Sequence, residues 1–143
     1  MSNRVFGTGV IEGEGPVAMA DGSVWVVEMA GNRACVTRVS QGGAVEVRIE
    51  VGGRPNGMTI DGNGRLWVAE AREGDVRCFE QDGTIRSVVR HPESRFLWPN
   101  DLRFGPDGLL YLTDSGILDT VFIKGIAINP EWSSLEYRGC IYV

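Results

Sequence analysis

The sequence predicts an all-β fold assembled from repeated four-stranded antiparallel units. Three observations carry that prediction. Glycine accounts for 20 of 143 residues against only six prolines; this is about twice its usual share of roughly 7%, and without a collagen-like period it marks turns. Three segments align without gaps, namely EGPVAMADGSVWVVE (14–28), NGMTIDGNGRLWVAE (56–70) and NDLRFGPDGLLYLTD (100–114). No useful window carries the 3.6-residue apolar spacing of an amphipathic helix.

Each element follows from the repeat. A short run leads into ADG, GNG or PDG and then into a β-rich run such as SVWVVE or RLWVAE, which is a hairpin signal. The turn glycines are Gly22, Gly64 and Gly108, 42 and 44 residues apart. Three residues after each stands an aromatic (Trp25, Trp67, Tyr111) and six residues after each an acid (Glu28, Glu70, Asp114). A third strand is predicted near Ala34–Val39 and Val76–Glu80, a glycine turn at 41–43 and 81–83, and a fourth strand near Val45–Glu50 and Thr84–Val89. Four short strands in about 43 residues describe the blade of a β-propeller. The runner-up, a β-sandwich, has no reason to repeat its hairpins at a fixed period.

The blades fall near 14–53, 54–97 and 98–143 of a single partial propeller domain. In the last, the strand pattern stops after Asp114, residues 115–138 read as an inserted loop, and GCIYV (139–143) resumes as a third strand with no fourth. Propellers close with roughly four to eight blades. About three blades therefore read as the N-terminal portion of an expected six, or as a half that meets a second copy to complete the ring. An open arc also predicts exposed strand edges.

Composition narrows the function classes. The formal net charge is −5, which argues against nucleic-acid and anionic-membrane partners. No apolar run is long enough to span a membrane and no secretory leader is visible. Cys35, Cys78 and Cys140 stand alone and read as buried or partly buried free thiols of a cytoplasmic protein. His91 is the only histidine and reads as an exposed loop residue, so a three-histidine zinc site is excluded within the chain. No G-x-S-x-G elbow occurs. The DGNG start at 61–64 resembles an EF-hand loop, but Arg65 and Arg72 occupy positions that need oxygen ligands. The aromatic column reads as blade-to-blade packing.

The repeat identifies one candidate site. Eight residues before each turn glycine stand Glu14, Asn56 and Asn100. Each carries a side-chain oxygen at the start of an innermost strand, so the three converge at one end of the channel. Hard oxygen donors around a point suit Ca²⁺, which takes six to eight of them. Turn chemistry is the competing reading for the two asparagines, and a solvated loop acid for Glu14.

These residues also carry a resemblance. EGP at 14–16, RPNGMTIDGNGRLWVAE at 54–70 and WPNDLRFGPDGLLYLTDSG at 98–116 resemble the senescence-marker-protein/gluconolactonase/luciferin-regenerating family, over nearly the whole chain from about Glu14. The resemblance implies a six-bladed propeller and a metal-dependent hydrolase acting on lactones. The implied metal is a divalent cation, Ca²⁺ first and Zn²⁺ or Mg²⁺ as alternatives. It implies Glu14 and Asn100 as metal ligands, and Asn56 and Arg54 as substrate contacts. Asp101 is a weaker catalytic candidate, because strand alternation turns it from the channel. The family's remaining ligands and its catalytic carboxylate belong to later blades. The implied partner is a small-molecule lactone. The alternative function is a non-catalytic arc, serving as a binding scaffold or self-assembling half.

Overall fold

The computed structural model describes residues 3–125 and 127–143; the first two residues of the N-terminus and residue 126 of the insertion lie outside the described residues. Two four-stranded antiparallel sheets come first. One contains β1 (Gly13–Ala18), β2 (Val24–Glu28), β3 (Cys35–Val39) and β4 (Val45–Glu50), and the other β5 (Pro55–Ile60), β6 (Leu66–Glu70), β7 (Asp75–Phe79) and β8 (Ile85–Arg90). In each sheet spatial order follows chain order, the meander of a propeller blade. The third sheet holds β9 (Pro99–Phe104), β10 (Leu110–Asp114) and, after the insertion, β13 (Cys140–Tyr142), in the order β13-β10-β9. Ile141 pairs with Thr113 and Tyr142 with Leu112.

The hairpin turns repeat almost atom for atom. The N–H of Gly22, Gly64 and Gly108 donates to the carbonyl of Met19, Asp61 and Gly105, at 3.0 Å in all three. The glycine φ is 80°, 81° and 80°, a left-handed conformation costly for any residue with a Cβ. An aspartate tightens each turn. Asp21 Oδ1 accepts from Ser23 N, Asp61 Oδ1 from Asn63 N and Arg65 N, and Asp107 Oδ1 from Leu109 N.

Apolar side chains lie between the sheets. Trp25, Val27, Val36, Ile49 and Val51 of the first blade pack with Met58, Leu66, Val68 and Phe79 of the second. Ala69 and Val76 pack with Phe96, Leu102 and Leu112 toward the third. Trp67 meets Phe104 edge-on, with ring centroids 5.8 Å apart. The aromatic column is thus interblade packing for Trp25 and Trp67. Tyr111 departs from it. It is 39% exposed on the face of the third sheet that no other described sheet covers, and its hydroxyl donates to Asp107 Oδ2 at 2.7 Å.

Two smaller expectations are corrected. Cys140 is exposed while Cys35 and Cys78 are buried, because β13 pairs with β10 on one side and has no strand on its outer side among the described residues. His91 is half-buried, with its ring edge-on to Phe96 and Tyr142. The insertion is not plain loop. It holds a one-turn helix α1 (Asp119–Phe122), a hairpin of β11 (Ile123–Lys124) and β12 (Ala127–Ile128), and a 3₁₀ turn at Trp132–Ser134. Among the described residues no helix is long and apolar enough to cross a membrane.

Candidate functional site

Glu14, Asn56 and Asn100 lie on β1, β5 and β9, and these three strands pack side by side. Glycine makes the approach close. A Cβ on Gly15 would stand 2.6 Å from Met58 N, and one on Gly57 would stand 2.5 Å from Asp101 Cα and 2.6 Å from the Asn100 carbonyl oxygen. The residues after Glu14 and Asn56 therefore each touch the next blade's backbone, which sets Glu14, Asn56 and Asn100 in one row.

Each innermost strand carries a register shift at this level, between Glu14 and Val17, between Pro55 and Met58, and opposite the Leu112–Asp114 step. Such bulges re-aim side chains and are frequent beside functional sites. The shift in the third sheet spans Asp101, so simple alternation does not by itself set that side chain's direction. Asp101 is exposed, its Oδ1 accepts Leu102 N–H at 2.8 Å, and its own N–H donates to Thr113 Oγ1 at 3.0 Å.

The three candidates differ in commitment. Glu14 is exposed and Asn56 buried, and neither side chain makes a hydrogen bond among the described residues. Asn100 is half-buried, and its Nδ2 donates to Ser115 Oγ at 3.1 Å. With the amide nitrogen held, Oδ1 is the end left free to accept or to ligate. An unpaired carboxylate and two amide oxygens are hard donors, so the row fits a divalent cation such as Ca²⁺ as a partial ligand set. No group of three His, Cys, Asp or Glu side chains with metal-binding geometry occurs among the described residues.

What holds the row in place is the acid column, to which the sequence alone assigns no role. Glu28, Glu70 and Asp114 are 0%, 0% and 4% exposed. Each reaches back to the segment that enters the innermost strand. Glu28 Oε2 accepts Ile11 N–H at 2.7 Å. Glu70 accepts Arg54 N–H, with Arg72 N–H at 2.9 Å and Glu73 N–H at 2.6 Å. Asp114 accepts Leu97 N–H at 2.8 Å, Trp98 N–H at 3.0 Å and Gly116 N–H at 2.7 Å. Four of these N–H groups, those of Ile11, Arg54, Leu97 and Trp98, stand two or three residues before Glu14, Asn56 and Asn100. Charge-assisted bonds to backbone donors are strong, so these carboxylates fix where each candidate begins its strand. Burial raises the pKa of Glu28, but the Thr37 hydroxyl, Ile11 N–H and Arg33 outweigh it and hold the carboxyl below its ordinary value. The acid column was visible as a repeat; its partners were not.

Arg54, the other candidate substrate contact, is half-buried at the approach to β5. The insertion docks beside it, with Arg72 Nε donating to Asp119 Oδ2 at 2.9 Å. Between them lies a cleft of about 280 Å³.

The sequence profile of the SMP-30/gluconolactonase/LRE-like region matches residues 38–115. Comparison with curated proteins returns no match. Among solved structures, the chain is similar to a gluconolactonase from Xanthomonas campestris, at 27% identity and a TM-score of 0.64, over 74% of this chain and 36% of that one. It is similar in fold to a virginiamycin B lyase from Staphylococcus aureus (20%, TM-score 0.63, 79% of this chain and 40% of that one). It is also similar in fold to a luciferin-regenerating enzyme (19%, TM-score 0.61, 90% and 43%). The chain thus spans 36% to 43% of the length of these structures.

Proposed function

The chain belongs to the SMP-30/gluconolactonase/LRE-like family, and from that premise we propose that it contributes part of the active site of a divalent-metal lactonase. The observation that carries this reading is the row of Glu14, Asn56 and Asn100, one from each blade, at one repeat position. Glu14 and Asn100 would hold the cation and Asn56, with Arg54, would face substrate. Ca²⁺ suits the oxygen set, and Zn²⁺ or Mg²⁺ are the alternatives. A cation in this position supplies Lewis-acid polarisation of a lactone carbonyl.

The chain's own residues do the positioning. Ser115 turns the Asn100 amide so that its oxygen points free. Asp114 and Glu70 fix the entry segments of β9 and β5. Asp101 stands one residue beyond the row with Oδ2 free of hydrogen bonds among the described residues, and remains the weaker candidate for a catalytic carboxylate. The 27% identity to a gluconolactonase favours a sugar lactone as substrate.

The test uses the natural full-length protein, with Ca²⁺ titrated calorimetrically and sugar-lactone hydrolysis followed with and without chelator. Wild type should bind Ca²⁺ and lose activity on chelation. Glu14→Gln nearly preserves shape and removes the charge, so it should weaken Ca²⁺ binding at least tenfold with the melting temperature unchanged, because Glu14 is exposed and unbonded. Chelator-insensitive hydrolysis at the wild-type rate in folded Glu14→Gln would remove the metal role. A folded protein inert toward lactones would leave the binding-scaffold reading.

A further inference from the structure

The cleft beside the inserted segment is lined by Arg54, Arg72, Asp119, Thr120, Ile123 and Gly125. Its charge is unbalanced. Asp119 is 1% exposed and is committed to Arg72 through the 2.9 Å bond, so that pair is internally neutral. Arg54 has no ionic partner among the described residues, and its Nε is buried without a hydrogen-bond partner among them. Glu70 does not relieve it, since that carboxylate is taken up by backbone N–H groups and approached by Arg77. A buried guanidinium donor left unpaired is costly, and such a group calls for an acceptor that completes it.

We propose that this cleft receives a carboxylate carried by the substrate, so that the lactone hydrolysed is one of an acidic sugar. The inference rests on the lactonase reading and adds the substrate's charge. One uncompensated positive charge matches a monoanion, and the fork of the guanidinium matches the two oxygens of a carboxylate. A phosphate dianion would meet Asp119 with charge to spare. A cleft of about 280 Å³ lies at the small end of ligand sites and suits a group of monosaccharide size. Arg54 precedes Asn56 by two residues, about 7 Å along an extended strand. A six-carbon skeleton with its lactone at the Glu14–Asn56–Asn100 row can therefore place its far carboxylate against Arg54. Thr120, whose hydroxyl makes no hydrogen bond among the described residues, adds a donor from the insertion.

The experiment compares two lactones of the same ring, one bearing a carboxylate and one a hydroxymethyl group, in the full-length protein and its Arg54→Gln and Arg54→Lys variants. The ratio of kcat/KM for the acidic over the neutral lactone should fall about 10- to 100-fold in Arg54→Gln, the range for losing a charged hydrogen-bonded pair, and recover in part in Arg54→Lys. An unchanged ratio overturns the proposal. A wild type inert toward both lactones overturns the lactonase reading instead, and the cleft is then judged by binding. Glucuronate should raise the melting temperature of wild type and not of Arg54→Gln, with glucose without effect on either. Equal stabilisation of both proteins, no stabilisation of wild type, or stronger stabilisation by inorganic phosphate at the same concentration each overturns the carboxylate assignment. Arg54→Lys keeps the charge and covers the case in which the glutamine variant fails to fold.

Discussion

Asp114 shows how one side chain sets the position of another. It is 4% exposed and collects three backbone N–H groups, those of Leu97, Trp98 and Gly116. Each buried N–H left without an acceptor costs about 1–3 kcal/mol. Asp114→Ala should therefore lower stability by about 3–5 kcal/mol, read as a fall in urea midpoint at constant m-value. Asp114→Asn keeps one acceptor oxygen and should cost less. A loss below about 1 kcal/mol in the alanine variant would mean that water replaces the carboxylate. Because the same bonds hold the entry to β9, the asparagine variant should also weaken Ca²⁺ binding in the full-length protein while it remains folded, an effect that lost stability alone does not produce.

Between elements, glycine decides how closely blades approach. A methyl group on Gly57 meets the backbone of Asn100 and Asp101 at 2.5–2.6 Å, and backbone cannot swing aside as a side chain can. Gly57→Ala should force β5 and β9 apart and cost about 2–3 kcal/mol, the upper part of the overpacking range. Gly64→Ala meets only the far end of Gln81 at 3.1 Å, but it must hold a φ of 81°, for about 1–2 kcal/mol. Thermal melts of the two variants check the order, and a milder Gly57→Ala would show that β9 can move. The contrast separates a packing requirement from a conformational one in the same repeat.

At the scale of the molecule, two behaviours follow from the whole surface and charge set. The open face of the third sheet exposes Tyr111 at 39% and Ile141 at 69%, beside the edge strand β13, whose outer side pairs with no strand among the described residues. The 143-residue chain should self-associate at micromolar concentration through this face. Sedimentation velocity should show oligomers that Ile141→Lys disperses; a monomer unaffected by that change would place the contact elsewhere. Acid should unfold the chain by protonating carboxylates whose folded pKa lies low. Asp21 is held at about 2 by the Ser23 hydroxyl, the Ser23 N–H and Arg38. Asp107 is lowered by the Tyr111 hydroxyl and Leu109 N–H. In Glu28 burial raises the value, but hydrogen bonds lower it further. Depressed folded values contribute stability that is fully present above the unfolded values of about 4 and is lost as pH falls through the folded ones. The urea midpoint should stay level from pH 7 to about 5 and decline continuously toward pH 2. A midpoint that rises below pH 4 would contradict these assignments.

The sequence by itself determined the elements and their period. Hairpins depend on neighbours a few residues apart: a glycine that reaches φ near 80°, an aspartate that bonds two residues on, and β-branched runs on either side. These are local, so three gap-free segments sufficed to place the inner hairpin of each blade, and the oxygen-bearing row followed by counting. What only the tertiary structure decided was which groups meet across the chain. Asp114 meets Leu97, 17 residues away, and Arg72 meets Asp119, 47 residues away. The register shifts that span Asn56 and Asn100 arise from pairing between strands and leave no mark in one strand's alternation. Trp25 and Tyr111 hold the same repeat position, yet one is 1% and the other 39% exposed. Their own residues are equally aromatic; burial depends on whether a neighbouring blade covers them, and that is a property of the assembled sheets.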